Sequence, residues 1–179
     1  MRDVLLAIGV LGLATASAAA GPAGITRDEA LAAAFPGAVI KAEQVFLTAE
    51  QQRQAASLAG VGVPSALVAR YVATKDGQAV GRAYVDTHVV RTKKESLLIS
   101  LDAGGRVKRI DVTAFLEPPE YRAPHAWAKQ HQGRPLDDDL RLHRAIRPIA
   151  GATLTARAVT EAVRRVLAID GVLSKELQR

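Results

Sequence analysis

LVARYVATKDGQAVGRAYVDTHVVRTKKESLLISLDAGGRVKRIDVTAF, the stretch from Leu67 to Phe115, decides the fold. Apolar and polar residues alternate along it, β-branched and aromatic side chains recur, and Asp76-Gly77 and Asp102-Ala103-Gly104-Gly105 interrupt it. A period of two sends successive side chains to opposite faces of a strand, and Asp-Gly and Gly-Gly pairs supply the positive φ of tight hairpin turns. The pattern predicts four antiparallel strands, about 66 to 74, 79 to 90, 96 to 102 and 106 to 115, joined as a meander. Glu117-Pro118-Pro119 must leave the sheet, because proline cannot donate to the ladder.

Upstream, Thr26-Arg27-Asp28-Glu29 reads as a capping box in which threonine and glutamate satisfy each other's end of a helix, followed by Ala30 to Phe35 and a stop at Pro36-Gly37. Val39 to Phe46 is a further strand. Thr48-Ala49-Glu50-Gln51 opens a second capped helix ending near Gly60, and 60 to 64 reads as a linker. Downstream, short helices are expected near His125 to His131 and Asp138 to His143, with a turn at Gly133-Arg134-Pro135 between them. A last helix is expected from Thr155 to about Ile169, with Val159, Ala162, Val163 and Val166 against the sheet and Arg157, Arg164 and Arg165 toward water. The expected fold class is α+β, an antiparallel β-meander sheet with flanking helices.

A chain of 179 residues is long enough for one domain with a proper core. Met1-Arg2-Asp3, the apolar run Val4 to Leu13 and the small residues Ala16-Ser17-Ala18-Ala19-Ala20 have the layout of a secretory signal peptide over residues 1–20, with an uncleaved N-terminal anchor as the alternative. Residues 21–65 form a helix-strand-helix segment expected to pack on the main domain, 66–170 the main domain, and 171–179 a C-terminal tail. The expected location is periplasmic or otherwise extracytoplasmic, peripheral to or anchored at the inner membrane.

Without cysteine the chain can hold neither a disulfide nor a cysteine-ligated iron–sulfur cluster, and it lacks the paired cysteines of c-type haem attachment. Redox chemistry would therefore need a borrowed organic cofactor. A formal charge of +6 favours acidic partners, anionic headgroups or phosphates. Nucleic acid is set aside, because the arginines are scattered, aromatics are few, and no binding module is recognisable. No metal is expected either: His125 and His131 lie outside any His-Glu-x-x-His pattern, and Asp137-Asp138-Asp139 lacks the later glycine and glutamate of a calcium loop.

Ala150-Gly151-Ala152-Thr153-Leu154-Thr155 carries the chemistry. Gly151 and Ala152 let a ligand approach the backbone, and a helix start presents unpaired N–H groups at the positive end of its dipole. The dipole alone contributes about 0.3–1 kcal/mol and each hydrogen bond to a charged group about 1.5–3, so several must converge on one anion. The plainer reading is that Thr153 or Thr155 caps a surface helix.

This motif resembles that of the FMN-binding domain family, which includes flavin-carrying subunits of sodium- or proton-pumping membrane redox complexes of the Rnf and sodium-translocating NADH:quinone reductase type. Gly151, Ala152, Thr153 and Thr155 match the family's Ser/Thr-Gly-Ala-Thr pattern with a hydroxyl two positions on. Phe115-Leu116-Glu117-Pro118-Pro119, Trp127, Gly133-Arg134-Pro135-Leu136 and Ile146 follow the family's order, so the resemblance covers roughly 66 to 169.

The resemblance implies an FMN-binding domain over 66–170, FMN as cofactor, and Thr153 as the residue esterified to the FMN phosphate by a dedicated flavin transferase. Gly151, Ala152, Leu154 and Thr155 complete the cradle. Arg147 and Ala150 replace the aspartate and the serine or threonine of many covalently flavinylated members, and Arg147 offers a positive charge to the phosphate. Glu117 stands beside the cofactor cleft as a possible ring contact, with loop capping as its rival role. His88 and Arg91 are candidates for the flavin ring, the rival being an exposed strand histidine beside a solvated arginine. Tyr121 and Trp127 either stack on the ring or seal the core.

The function expected is exported FMN-bound electron transfer between membrane or periplasmic donor and acceptor proteins, a carrier with no catalytic residues of its own. The alternative is a flavin-free structural or sensory module of an envelope redox complex.

Overall fold

The computed structural model describes residues 24–176. The expected signal peptide falls outside them. Two helices start where the capping boxes stand. In α1 (Arg27–Ala34) the Glu29 amide donates to Thr26 Oγ1 and the Thr26 amide to Glu29 Oε2, and in α2 (Ala49–Ala59) Thr48 and Gln51 repeat the exchange. Gly60, at φ +66°, ends α2 in the left-handed region that a side chain would strain.

Five strands form one antiparallel sheet in chain order: β1 (Val39–Phe46), β2 (Leu67–Lys75), β3 (Gln78–Val89), β4 (Lys94–Asp102) and β5 (Val107–Phe115). The four-strand meander is as read from the alternation. The upstream strand joins the same sheet as its outer member, with Val39 opposite Thr74 and Phe46 opposite Leu67. Asp76 and Gly77, both at positive φ, turn β2 into β3.

Helices cover both faces. On one, α1 and Phe35 pack Ala30, Leu31 and Ala34 against Tyr71, Ala73, Ala83 and Leu98. Gly81 is needed there, because a Cβ at that position would collide with the Leu101 carbonyl and the Phe35 ring. On the other face lies the larger core, which α2 and the last helix build with Tyr84, Leu97, Ile99 and Leu101.

After β5 come a 3-10 turn (Pro119–Tyr121), the single helical turn α3 (His125–Ala128) and a second 3-10 turn (Lys129–His131). The helix expected near 138 to 143 is absent, and a series of turns replaces it. Asp137 Oδ1 accepts the amides of Asp139 and Leu140, and His143 sits at φ +63°, so side-chain hydrogen bonding wins the local backbone over from a helix.

The last helix, α4 (Thr153–Glu176), starts earlier and runs further than its periodicity suggested. The expected tail from 171 is helical up to Glu176, because Val172 and Leu173 continue the apolar stripe into the core. Each such burial contributes about 1.5–3 kcal/mol, which outweighs the roughly 1 kcal/mol that Gly171 costs inside a helix.

Two of the arginines expected in water are held by the protein. Arg164 is 3% exposed and donates to the carbonyls of Ala59, Asp137 and Leu140. Arg165 donates to Asp86 and to the Gly62 carbonyl, while Arg157 is exposed. The cause is α2, which lies along α4 and leaves it no broad solvent face. Among the described residues no helix is long and apolar enough to cross a membrane.

Candidate functional site

Everything at the site follows from how α4 begins. The Ala152 amide donates back to Ile149 O at 3.1 Å, and Gly151, at φ +77°, turns the chain into the helix. The first helical bond outside the cradle is Ala156 N–H to Ala152 O at 3.0 Å. The amides of Thr153, Leu154 and Thr155 therefore have no intrahelical carbonyl to reach, and Ala152, immediately before the helix, has no side-chain oxygen to offer them.

A cleft of about 330 Å³ opens at this helix start, lined by Val90, Arg91, Glu117, Tyr121, Gly151, Ala152, Thr153, Leu154 and Thr155. That volume lies within the range of small-molecule sites, roughly 300–1,000 Å³. Three separate chain segments meet there: the β3–β4 turn, the segment after β5, and the start of α4.

The two hydroxyls differ sharply. Thr155 is 1% exposed and its Oγ1 donates to Tyr121 O at 2.7 Å, fastening the 3-10 turn to α4. Thr153 is exposed, and its hydroxyl has no partner among the described residues. No Cβ-sized obstruction stands near Gly151 either.

Glu117 Oε1 accepts three successive amides, Arg91 at 3.2 Å, Thr92 at 2.6 Å and Lys93 at 2.7 Å, along with the Thr92 hydroxyl at 3.4 Å. These backbone bonds, Thr92's foremost, hold its carboxyl below the usual range. Of its two expected roles, the described contacts show loop capping: Glu117 fixes the β3–β4 turn from which Arg91 lines the cleft. Leu154, large and exposed, stands at the same opening.

Other candidates stand elsewhere. Arg147 is exposed and does not line the cleft; its backbone is what is held, accepting from Trp127 Nε1 at 2.6 Å and donating to Gln130 Oε1 at 3.0 Å. Trp127 packs against the core, edge-on to His131, and so seals it.

His88 is neither exposed nor beside the cleft. Its Nδ1 lies 2.9 Å from Asp86 Oδ1 and its Nε2 3.1 Å from Glu95 Oε2, with Arg165 completing the group from α4. Burial would lower the imidazole pKa, but the bonds to the two carboxylates raise it to about 9. Alternation puts Asp86 and His88 on one face, whereas nothing local announces that Glu95 and Arg165 arrive beside them. Val90 is the one lining residue that the sequence reading passed over, since a valine just past a strand carries no chemical signal.

The sequence profile of the FMN-binding domain family matches residues 93–168. Residues 93–168 belong to that family. FMN is the cofactor of this domain. No curated protein and no solved structure matches the chain. The FMN-binding domain match begins within the β3–β4 turn and closes in α4, so it contains Glu117, Tyr121 and Gly151 to Thr155, while Val90 and Arg91 reach the cleft from outside it.

The donor set suits a phosphate-bearing cofactor. Amides with no partner among the described residues, a positive helix end and Arg91 all favour an anion, and apolar Val90, Tyr121 and Leu154 offer surface to an aromatic ring system. Among the described residues no group of three or more His, Cys, Asp or Glu is arranged to hold a metal ion.

Proposed function

We propose that this protein is an exported electron carrier that holds FMN by its phosphate at the start of α4, through an ester to Thr153. The observation that carries the assignment is the contrast within the motif. Thr153 presents a free, exposed hydroxyl in the cleft, and Thr155 spends its own on Tyr121. A nucleophile must be accessible to a modifying enzyme, so a flavin transferase acting on the folded chain would find Thr153; its Oγ1 would attack the flavin-side phosphorus of a flavin dinucleotide donor, losing its proton as the pyrophosphate P–O bond breaks and a nucleoside monophosphate leaves.

In this reading Gly151 and Ala152 leave room for the phosphate, the amides of Thr153, Leu154 and Thr155 donate to its oxygens, and Arg91 adds charge. Bound FMN supplies one- and two-electron redox chemistry, and the protein contributes position and electrostatics. Glu117 positions the turn that carries Arg91. The exposed Tyr121 and Leu154 give membrane or periplasmic donor and acceptor proteins an apolar place to touch beside the cofactor. A covalent link suits a protein working outside the cytoplasm, where a released flavin would be lost. The leader-like residues 1–20 and the basic net charge support that location.

The test is export from a host that has the flavin transferase, followed by intact-protein mass and visible absorbance. A yellow protein carrying one FMN-sized adduct is expected, with the adduct lost in Thr153→Val and kept in Thr155→Val. Yellow colour released by denaturation would refute the ester, and a colourless product would point to a structural module.

A further inference from the structure

The two edges of the sheet are treated differently. At β5 the ends are covered: Val107 exchanges backbone bonds with Gly133 and Arg134, and Arg122 donates to the Val112 carbonyl. At β1 no described residue bonds to the outer edge, although the strand is eight residues long and contains neither proline nor a bulge. Its two ends carry the most exposed large apolar side chains described, Val39 at 72% and Phe46 at 71%. A long, flat, partly apolar edge is a template for another strand.

We propose that β1 pairs with β1 of a second copy of this chain, antiparallel about a two-fold axis at Ala42, joining two five-stranded sheets into one. The pattern of backbone bonding and the charges select that register. The Leu47 amide donates to Ala66 O at 2.8 Å across the β1–β2 pairing, so alternation gives inward bonds to Val45, Glu43, Lys41 and Val39. Ile40, Ala42, Gln44 and Phe46 consequently turn their N–H and C=O groups outward, and only these can bond to a second copy.

With the axis at Ala42, the bonded pairs are Ala42 with Ala42 and Ile40 with Gln44. The intervening pairs, whose side chains approach most closely, are then Lys41 with Glu43 and Val39 with Val45. Sliding the second copy by two residues either way sets Glu43 against Glu43 or Lys41 against Lys41. Among the described residues the exposed Lys41 side chain leans only on its own Glu43, at 3.3 Å, while Glu43 also holds Arg70 at 2.7 Å. The strand is thus complementary to itself in one register alone. A two-fold contact of this kind closes on itself and stops at the dimer.

Sedimentation velocity of the full chain over a range of concentrations tests this. The expected result is a mass that doubles as concentration rises. Ala42→Pro removes an N–H that the sheet does not use, so the variant should keep its far-ultraviolet circular dichroism and melting temperature yet sediment as a monomer. Because the chain has no cysteine, single-cysteine variants read the register independently of that proline. Ala42→Cys places two thiols across the axis with Cα atoms about 5.5 Å apart, inside the disulfide range of about 4.4–6.8 Å, and should give a covalent dimer on oxidation. Gln44→Cys, facing Ile40, should not. A wild-type chain that stays monomeric throughout, a folded Ala42→Pro that still dimerises, or cross-linking at Gln44→Cys equal to that at Ala42→Cys would overturn the proposal.

Discussion

Replacing Arg164 with methionine removes a buried guanidinium while keeping an unbranched side chain of similar reach in α4. In the native fold Nε donates to Ala59 O at 2.7 Å, and Nη1 donates to Asp137 O at 2.6 Å and Leu140 O at 3.3 Å. The side chain thereby ties the end of α2 and the turns after Asp137 to the helix that starts at the cleft. A hydrogen bond from a charged donor contributes about 1.5–3 kcal/mol, and a buried carbonyl left without a donor costs about 1–3. Against this stands the desolvation of the guanidinium, whose burial also lowers its pKa. The longest bond counts least, and the loss should come to about 2–4 kcal/mol. For a chain of this size that corresponds to roughly 4–16 °C in melting temperature, at about 2–4 °C per kcal/mol. The assay is thermal and denaturant unfolding of Arg164→Met beside Arg157→Met, whose exposed arginine should shift stability by less than about 0.5 kcal/mol. Equal stability of the two variants would refute the reasoning and return Arg164 to solvent.

Thr155→Val should cost the flavin-free protein about 0.5–2 kcal/mol by orphaning the Tyr121 carbonyl, whereas Thr153→Val should leave it within about 0.5; chemical denaturation of both variants decides, and a reversed order contradicts the division of labour between the hydroxyls. Gly81→Ala should destabilise by about 1–3 kcal/mol through collision with the Phe35 ring and the Leu101 carbonyl, and Phe35→Leu in the same chain should recover part of that loss; a neutral Gly81→Ala would show that the close approach is not there. His88, raised to about 9 between Asp86 and Glu95 and faced by Arg165, adds stability that is complete below about pH 6.5 and fades as pH rises through 9. His131 is lowered to about 4 by burial, so its contribution is complete above about pH 6.5 and fades as pH falls toward 4. Histidine ring titration by nuclear magnetic resonance checks both, and two midpoints near 6.5 would contradict the buried placements.

Local chemistry was the legible part of this fold. Both capping boxes and the Asp-Gly and Gly-Gly turns act within a few residues, so the helices and hairpins they start could be read directly. The helix start at Gly151 to Thr155 was equally plain, because small residues and hydroxyls stand directly ahead of a helical run, and these residues do line a cleft. What escaped depends on partners far away. Arg164 is buried only because α2, over a hundred residues earlier, lies on α4, and His88 is half-buried only because Glu95 meets it across the sheet while Arg165 reaches its partner Asp86 from α4. Glu117 read as a ring contact or a loop cap, and which one it is depends on where the β3–β4 turn folds. The segment after Asp137 departs from the expected helix because a run of aspartates can start a helix or hold a turn, and here the side chain takes the amides for a turn.

The central claim is that the FMN phosphate docks on the free amides at the start of α4. Titrating FMN into isotopically labelled, flavin-free protein and following backbone amide resonances tests it directly. The largest shifts should fall on Gly151, Thr153, Leu154 and Thr155, with Arg91 moving alongside and β1 unmoved. Saturable FMN binding that leaves those amides where they were, and shifts another part of the surface instead, would contradict the account.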